Sequence, residues 1–138
     1  AAAGPELLEK CKHLNGCETG EAKITRGYKS KAKYIIHTVA PKWYESPKMD
    51  KEKVLRKCYE NSLAIAEDFK CARVAFPCLG MGMYGCPVEI SAKIAIDFAV
   101  AESRKKNPGV EAIYLICYEM AEYDFYMEYF KEKIKEKK

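Results

Sequence analysis

Apolar residues recur along this chain with two periods, and the switching between them divides it into strands and helices. Glu21 to Thr25 alternates polar and apolar positions and breaks at Gly27, and Lys33 to Val39 is a β-branched run closed by Pro41. These segments predict two strands that pair antiparallel across a short connection. Pro41 and Pro47 bracket Trp43 and Tyr44, the pattern of an ordered surface loop. Asp50 then caps a long helix whose apolar positions Val54, Leu55, Cys58, Leu63, Ile65, Ala66 and Phe69 form one broad stripe. Arg73 to Leu79 is short and almost wholly apolar, which predicts a central strand buried on both faces. Pro87 starts a further helix that runs to about Arg104 and is stopped by Asn107-Pro108-Gly109. Val110 to Tyr118 is a second apolar strand, followed by a last helix with Tyr123, Tyr126, Phe130 and Ile134 on one face. Ahead of all these, Pro5 opens a short helix that ends near Asn15-Gly16. The strand, helix, strand, helix order of the second half implies parallel strands joined by right-handed crossovers, with helices on both faces of the sheet.

Composition narrows this to one α/β domain over residues 1–138. The chain has 49% hydrophobic and 32% charged positions, a balance that excludes disorder, collagen and coiled coil. Of the net charge of +4, the stretch from Lys131 to Lys138 carries +3, and that run reads as a solvated helix end rather than a nucleic-acid surface. No apolar stretch approaches bilayer length and no charged-then-apolar leader opens the chain, so the expected location is the cytoplasm, or the nucleus if the cell is eukaryotic. The opening Ala1-Ala2-Ala3-Gly4-Pro5 has the character of a helix end, so a fragment of a longer protein is expected.

Seven cysteines, Cys11, Cys17, Cys58, Cys71, Cys78, Cys86 and Cys117, are spread without a C-x-x-C pair, and His13 and His37 stand apart from any cluster. Neither a disulfide framework nor a metal site is expected, and the cysteines read as small buried hydrophobes. Cys78 is the exception worth testing, a nucleophile with His37 as its base, although no third residue orients the pair. His37 itself reads as a satisfied core histidine.

The chemistry is concentrated in Phe76-Pro77-Cys78-Leu79-Gly80-Met81-Gly82-Met83-Tyr84-Gly85-Cys86-Pro87, a strand end, a glycine-rich loop and a helix start. Three glycines in six residues permit unusual dihedrals and close approach of a ligand to the backbone. Free N–H groups in such a loop, next to a helix N-terminus, suit a phosphate. The spacing Gly80-x-Gly82-x-x-Gly85 also satisfies the dinucleotide fingerprint. Two features oppose that assignment. Pro87 begins the helix only after the last glycine, and no acidic residue closes the next strand at the required distance. A nucleotide diphosphate fits the loop better than hydride chemistry does.

Four stretches taken in order resemble the macrodomain family, in its MacroD-like branch: Ala3 to Leu8, Gly16 to Thr25, Tyr34 to Val39, and Phe76 to Pro87. The resemblance implies a three-layer α/β/α fold with a mixed sheet, ADP-ribose or mono-ADP-ribosylated proteins as partners, and hydrolytic removal of mono-ADP-ribose as the family reaction. It implies no cofactor, no metal and no membrane. It further implies that Gly80, Met81, Gly82 and Met83 wrap the pyrophosphate, with Gly82 approaching most closely, that Tyr84 packs on the distal ribose, that Tyr118 lies near the adenine, and that Leu79 and Gly85 also belong to the ADP-ribose-binding set. Gly80-Met81-Gly82 stands where the family usually has Ser-Thr-Gly. MacroD-like proteins also begin with strands and a first glycine-rich loop that this chain lacks, so it corresponds to an N-terminally truncated macrodomain with its last four strands and helices. The catalytic residues are therefore unknown, and the loss of an interior strand predicts unpaired sheet edges. A binding-only reader of ADP-ribose, a catalytically incomplete remnant, and a basic protein that binds nucleic acid or poly-ADP-ribose through Trp43 and Tyr44 are the alternatives.

Overall fold

A computed structural model of the chain describes residues 19–27, 33–43, 50–80, 85–105, 110–117 and 119–135. The helix expected after Pro5 lies outside these residues, as do most of the loop around Tyr44 and the stop at Asn107-Pro108-Gly109.

Strands β1 (Ala22–Arg26) and β2 (Tyr34–Thr38) pair antiparallel, with Ile24 opposite Ile36 and Lys23 opposite His37. The expected pairing is therefore present. Helix α1 (Lys51–Asp68) starts at Asp50, whose carboxylate accepts the Lys53 N–H at 3.2 Å and satisfies one of the donors that a helix start leaves unpaired. It buries Leu55, Cys58, Tyr59, Leu63 and Ala66, and it packs on β1 and β2. Two polar bonds fix its position: the Asn61 side-chain amide donates to the Gly20 carbonyl at 2.7 Å, and the Cys58 thiol to the Val39 carbonyl at 3.4 Å.

Strands β3 (Arg73–Phe76) and β4 (Ala112–Leu115) pair parallel, Phe76 lying opposite Leu115. Helix α2 (Val88–Ser103) connects them and packs on α1 and on α3 (Met120–Lys135). The described strands thus form one antiparallel and one parallel two-stranded sheet, the two pairing senses of a mixed sheet, and helices supply most of the buried residues. The core is aromatic at its centre. Tyr59 from α1, Phe76 from β3 and Phe98 from α2 meet with ring centroids 5.1, 5.3 and 5.8 Å apart.

Three expectations need correction. The two parallel strands are shorter than the apolar runs that encode them, and Pro77, which has no N–H to give a ladder, follows β3 directly. β3 is not buried on both faces: Val74 and Phe76 are covered while Arg73 and Ala75 are exposed. On α3 the aromatic stripe is mostly solvent-facing, since Tyr123, Phe130 and Ile134 are 47%, 41% and 40% exposed and only Tyr126 is buried. Polar anchors hold this helix instead. The Tyr129 hydroxyl donates to Asp97 at 2.7 Å, and the Lys133 ammonium sits 3.2 Å from the same carboxylate. Among the described residues, no helix is long and apolar enough to cross a membrane.

Candidate functional site

The C-terminal end of β3 runs into the glycine-rich loop, the place where parallel α/β sheets present ligands to backbone amides. Leu79 is half-buried, Gly80 buried and Gly85 exposed. Met81, Gly82, Met83, Tyr84 and Tyr118 lie outside the described residues. What can be read is how the ends of the loop are held. The Cys86 N–H donates to the Gly80 carbonyl at 2.9 Å, which ties the two ends of the segment together immediately before α2. Gly80 and Gly85 both have positive φ, 81° and 75°, a region that L side chains rarely adopt. Gly80 has a second constraint, because a Cβ there would lie 3.2 Å from the Cys86 Cβ and 3.5 Å from a Leu55 methyl carbon.

Beyond the backbone, a small polar clamp fixes the start of the loop. The Ser91 hydroxyl on α2 donates to the Leu79 carbonyl at 3.1 Å and shares a hydrogen bond of 3.1 Å with the Tyr126 hydroxyl on α3. The buried Tyr59 hydroxyl lies beside Leu79 and Tyr126, at the same point. Helix α2 begins after Pro87 with no side-chain cap, and the Pro87 carbonyl accepts from Ile90 and Ser91. The N–H groups of its first turn therefore stand beside the loop, where a helix terminus favours an anion. Ser91 and Tyr126 are the residues that sequence reasoning missed here. Ser91 could have been noticed as a hydroxyl inside an otherwise apolar helix stripe.

The acid–base groups singled out from the sequence are not poised for chemistry. Burial, the largest cause, pushes the Cys78 thiol up to about 12, and the thiol donates to the Ile116 carbonyl at 3.6 Å. At neutral pH it is a protonated donor and not a nucleophile. Cys86 is likewise pushed up to about 12, first by burial and then by the charge of Glu52. His37 Nε2 lies 3.0 Å from the Thr25 hydroxyl across the β1–β2 pair, and burial lowers its pKa. Among the described residues, no group of three His, Cys, Asp or Glu is arranged to hold a metal ion.

The His37 shift has a measurable sign. A histidine held neutral in the fold binds fewer protons than the same residue in the unfolded chain, so stability rises with pH between its lowered value and the ordinary 6.5. The urea midpoint is expected to fall as the pH is lowered from neutral to about 5, and His37→Gln should flatten that slope. An unchanged slope in the variant would show that His37 is not the group responsible.

Comparison with known proteins places this geometry in context. The family model described as Macro domain matches residues 1–95. A Macro domain-containing protein of Methanosarcina mazei is 53% identical over 117 residues, which cover 85% of this chain and 62% of that protein. ADP-ribose glycohydrolase MACROD2 of Homo sapiens is 40% identical over 135 residues, covering 98% of this chain and 31% of that protein. Among solved structures, the Oceanobacillus iheyensis macrodomain with ADP superposes with a TM-score of 0.89 at 33% identity, covering 98% of this chain and 73% of the other. The chain therefore spans less than two thirds of the Methanosarcina relative and under a third of the human one.

Proposed function

This chain belongs to the macro domain family, and from that premise we propose that residues 1–138 form the pyrophosphate side of an ADP-ribose site serving hydrolytic removal of mono-ADP-ribose from proteins. One observation carries the reading: the loop that leaves β3 is drawn together by the Cys86 N–H and Gly80 carbonyl, with positive φ at both Gly80 and Gly85, next to the uncapped start of α2. A backbone held this way offers N–H groups to a diphosphate without needing a cationic side chain. In the same reading Met81, Gly82 and Met83 complete the cradle, Tyr84 orients the distal ribose and Tyr118 borders the adenine. The contribution to hydrolysis is positional, since a fixed diphosphate and ribose bring the anomeric carbon to an ordered water.

A binding-only reader is the second reading. It is favoured by the engagement of His37 with Thr25 and by the protonated state of Cys78, which leave both of those side chains unsuited to activating water. The five described cysteines are free thiols, which supports a cytoplasmic setting for either reading.

Calorimetric titration of the 138-residue protein with ADP-ribose tests the site. Micromolar binding is expected, weakened at least about tenfold by Gly82→Glu, which sets a carboxylate against the diphosphate. A folded parent that binds no ADP-ribose, or a Gly82→Glu variant that binds like the parent, overturns the assignment. Release of ADP-ribose from a mono-ADP-ribosylated protein separates hydrolase from reader, and a steep loss of affinity with salt would instead favour the nucleic-acid alternative.

A further inference from the structure

Two cysteines far apart in the chain meet where β3 and β4 end. Phe76 lies opposite Leu115, and the ladder continues past these last paired residues, because the Ile116 N–H donates to the Phe76 carbonyl at 2.8 Å. Two positions further along each strand stand Cys78 and Cys117. Side chains on a strand alternate between faces, so Cys78 shares the face of Val74 and Phe76, and Cys117 that of Ile113 and Leu115. All six belong to the core or pack against it. The Cys78 thiol donates to the Ile116 carbonyl at 3.6 Å and lies within hydrogen-bonding reach of the Cys117 thiol. Neighbouring strands run about 4.8 Å apart, inside the range of about 4.4–6.8 Å that a disulfide spans between Cα atoms.

Both thiols are free and only half-buried, so a small reagent reaches them. Among the described cysteines they are the one such pair: Cys58 and Cys86 are buried, and Cys71 stands ahead of β3, at its opposite end. The Glu122 carboxylate of α3 accepts from the Cys78 thiol and lies close to Cys117, so a proton acceptor is at hand for both. Burial raises the pKa of each thiol, and donation from Cys78 offsets part of the rise at Cys117. The thiolate that the neighbouring thiol supports is therefore that of Cys117, which makes Cys117 the attacking sulfur and Cys78 the resolving one.

We propose that Cys78 and Cys117 are a redox site, converted reversibly to an intrachain disulfide by exchange with a low-molecular-weight disulfide. The Cys117 thiolate attacks one sulfur of the reagent, forming a mixed disulfide and expelling one thiolate, which takes up the proton that Cys117 lost. Cys78 then attacks the Cys117 sulfur, and its proton passes by way of Glu122 to the second leaving thiolate. Two protein thiols are oxidised, the reagent is reduced to two thiols, and nothing else is consumed. The second step joins sulfurs already side by side, so a thiol too protonated for hydrolytic chemistry still serves as the resolving group. The raised pKa values also withhold the thiolate stabilisation that makes some dithiols strongly oxidising, which leans the equilibrium toward the disulfide. In a reducing compartment such a bond is transient. It sits one residue before Leu79, whose carbonyl Ser91 holds, so it pins the root of the glycine loop to the end of β4. None of this depends on the ligand read for that loop.

The test is incubation of the folded 138-residue protein with oxidised glutathione, followed by alkylation of the remaining thiols and peptide mass mapping. The expected product has lost the mass of two hydrogens and joins the Cys78 peptide to the Cys117 peptide, at least about tenfold over any other pair. Dithiothreitol should restore the parent mass. Cys78→Ser should halt at the first step with glutathione retained on Cys117, and Cys117→Ser should leave Cys78 largely a free thiol. Because the bond closes a chain segment that includes α2, the oxidised protein should also unfold at a higher urea concentration than the reduced one. The proposal is overturned if the folded protein stays reduced, if glutathione stays on Cys117 of the parent unresolved, or if the linked peptides are the same mixture in native buffer and in urea. A urea midpoint that does not rise on oxidation overturns it as well, because the bond would then form only by straining the strand ends.

Discussion

Truncating Phe98 to alanine is expected to remove about 3–5 kcal/mol of stability, the range for deleting a buried aromatic ring that its surroundings cannot refill. Phe98 is fully buried, 5.3 Å from the Tyr59 ring and 5.8 Å from the Phe76 ring, so one side chain links α1, β3 and α2. Tyr59, which packs against it, is equally inaccessible, so its ring is already committed to the core and is not free to refill the space. The Arg56 guanidinium lies 5.8 Å from the same ring, and it would lose its aromatic partner as well. Since domains of this kind are stable by only about 5–15 kcal/mol, the variant should show a much lower urea midpoint and could unfold in buffer. Phe130→Ala is the matched control. That ring, on α3, is 41% exposed, and its loss should change stability by less than about 1 kcal/mol. Equal effects for the two variants would mean that the core is not centred on the three rings.

The elements legible in the sequence are those whose boundaries are set locally. Asp50 announced α1 because a carboxylate at that position finds the Lys53 N–H within its own turn, and Pro87 marked the approach to α2 because it cannot continue a strand. The antiparallel pair was legible too, as Gly27 and Pro41 bound its two strands. Burial on β3 was not. An apolar run such as Arg73 to Leu79 records what a strand tolerates on its faces, while the coverage it receives depends on neighbours far away in the chain. The face of α3 misled for a related reason. Its aromatics at helical spacing suggested an apolar stripe, but the helix is tied down by Tyr126 to Ser91 and by Tyr129 and Lys133 to Asp97, contacts between residues more than 30 positions apart. In the candidate site the glycine pattern was visible in one dimension. The Ser91 clamp on the Leu79 carbonyl appears only when α2 folds back against the loop it follows.

Gly80→Val should be the most damaging single change in the loop, lowering stability by about 2–4 kcal/mol and reducing ADP-ribose affinity more than tenfold. Three effects combine at this residue. Its φ of 81° is strained for any side chain and most for a β-branched one, which costs about 1–3 kcal/mol. The new Cβ would stand 3.2 Å from the Cys86 Cβ, and the added methyl groups would press toward Leu55, a fully buried residue with little room to yield. Relieving either contact pulls the Gly80 carbonyl from the Cys86 N–H, the 2.9 Å bond that closes the loop. Gly85→Ala separates these contributions, because Gly85 shares the positive φ but is exposed, so it should incur the dihedral strain alone. Unfolding midpoints and ADP-ribose titrations of both variants, run where each is folded, then report on one question: whether the ligand needs the loop closed or merely present. If closure by Gly80 and Cys86 organises the phosphate amides, Gly80→Val loses binding out of proportion to Gly85→Ala. Parent-like affinity in folded Gly80→Val would move the phosphate site away from this end of the loop.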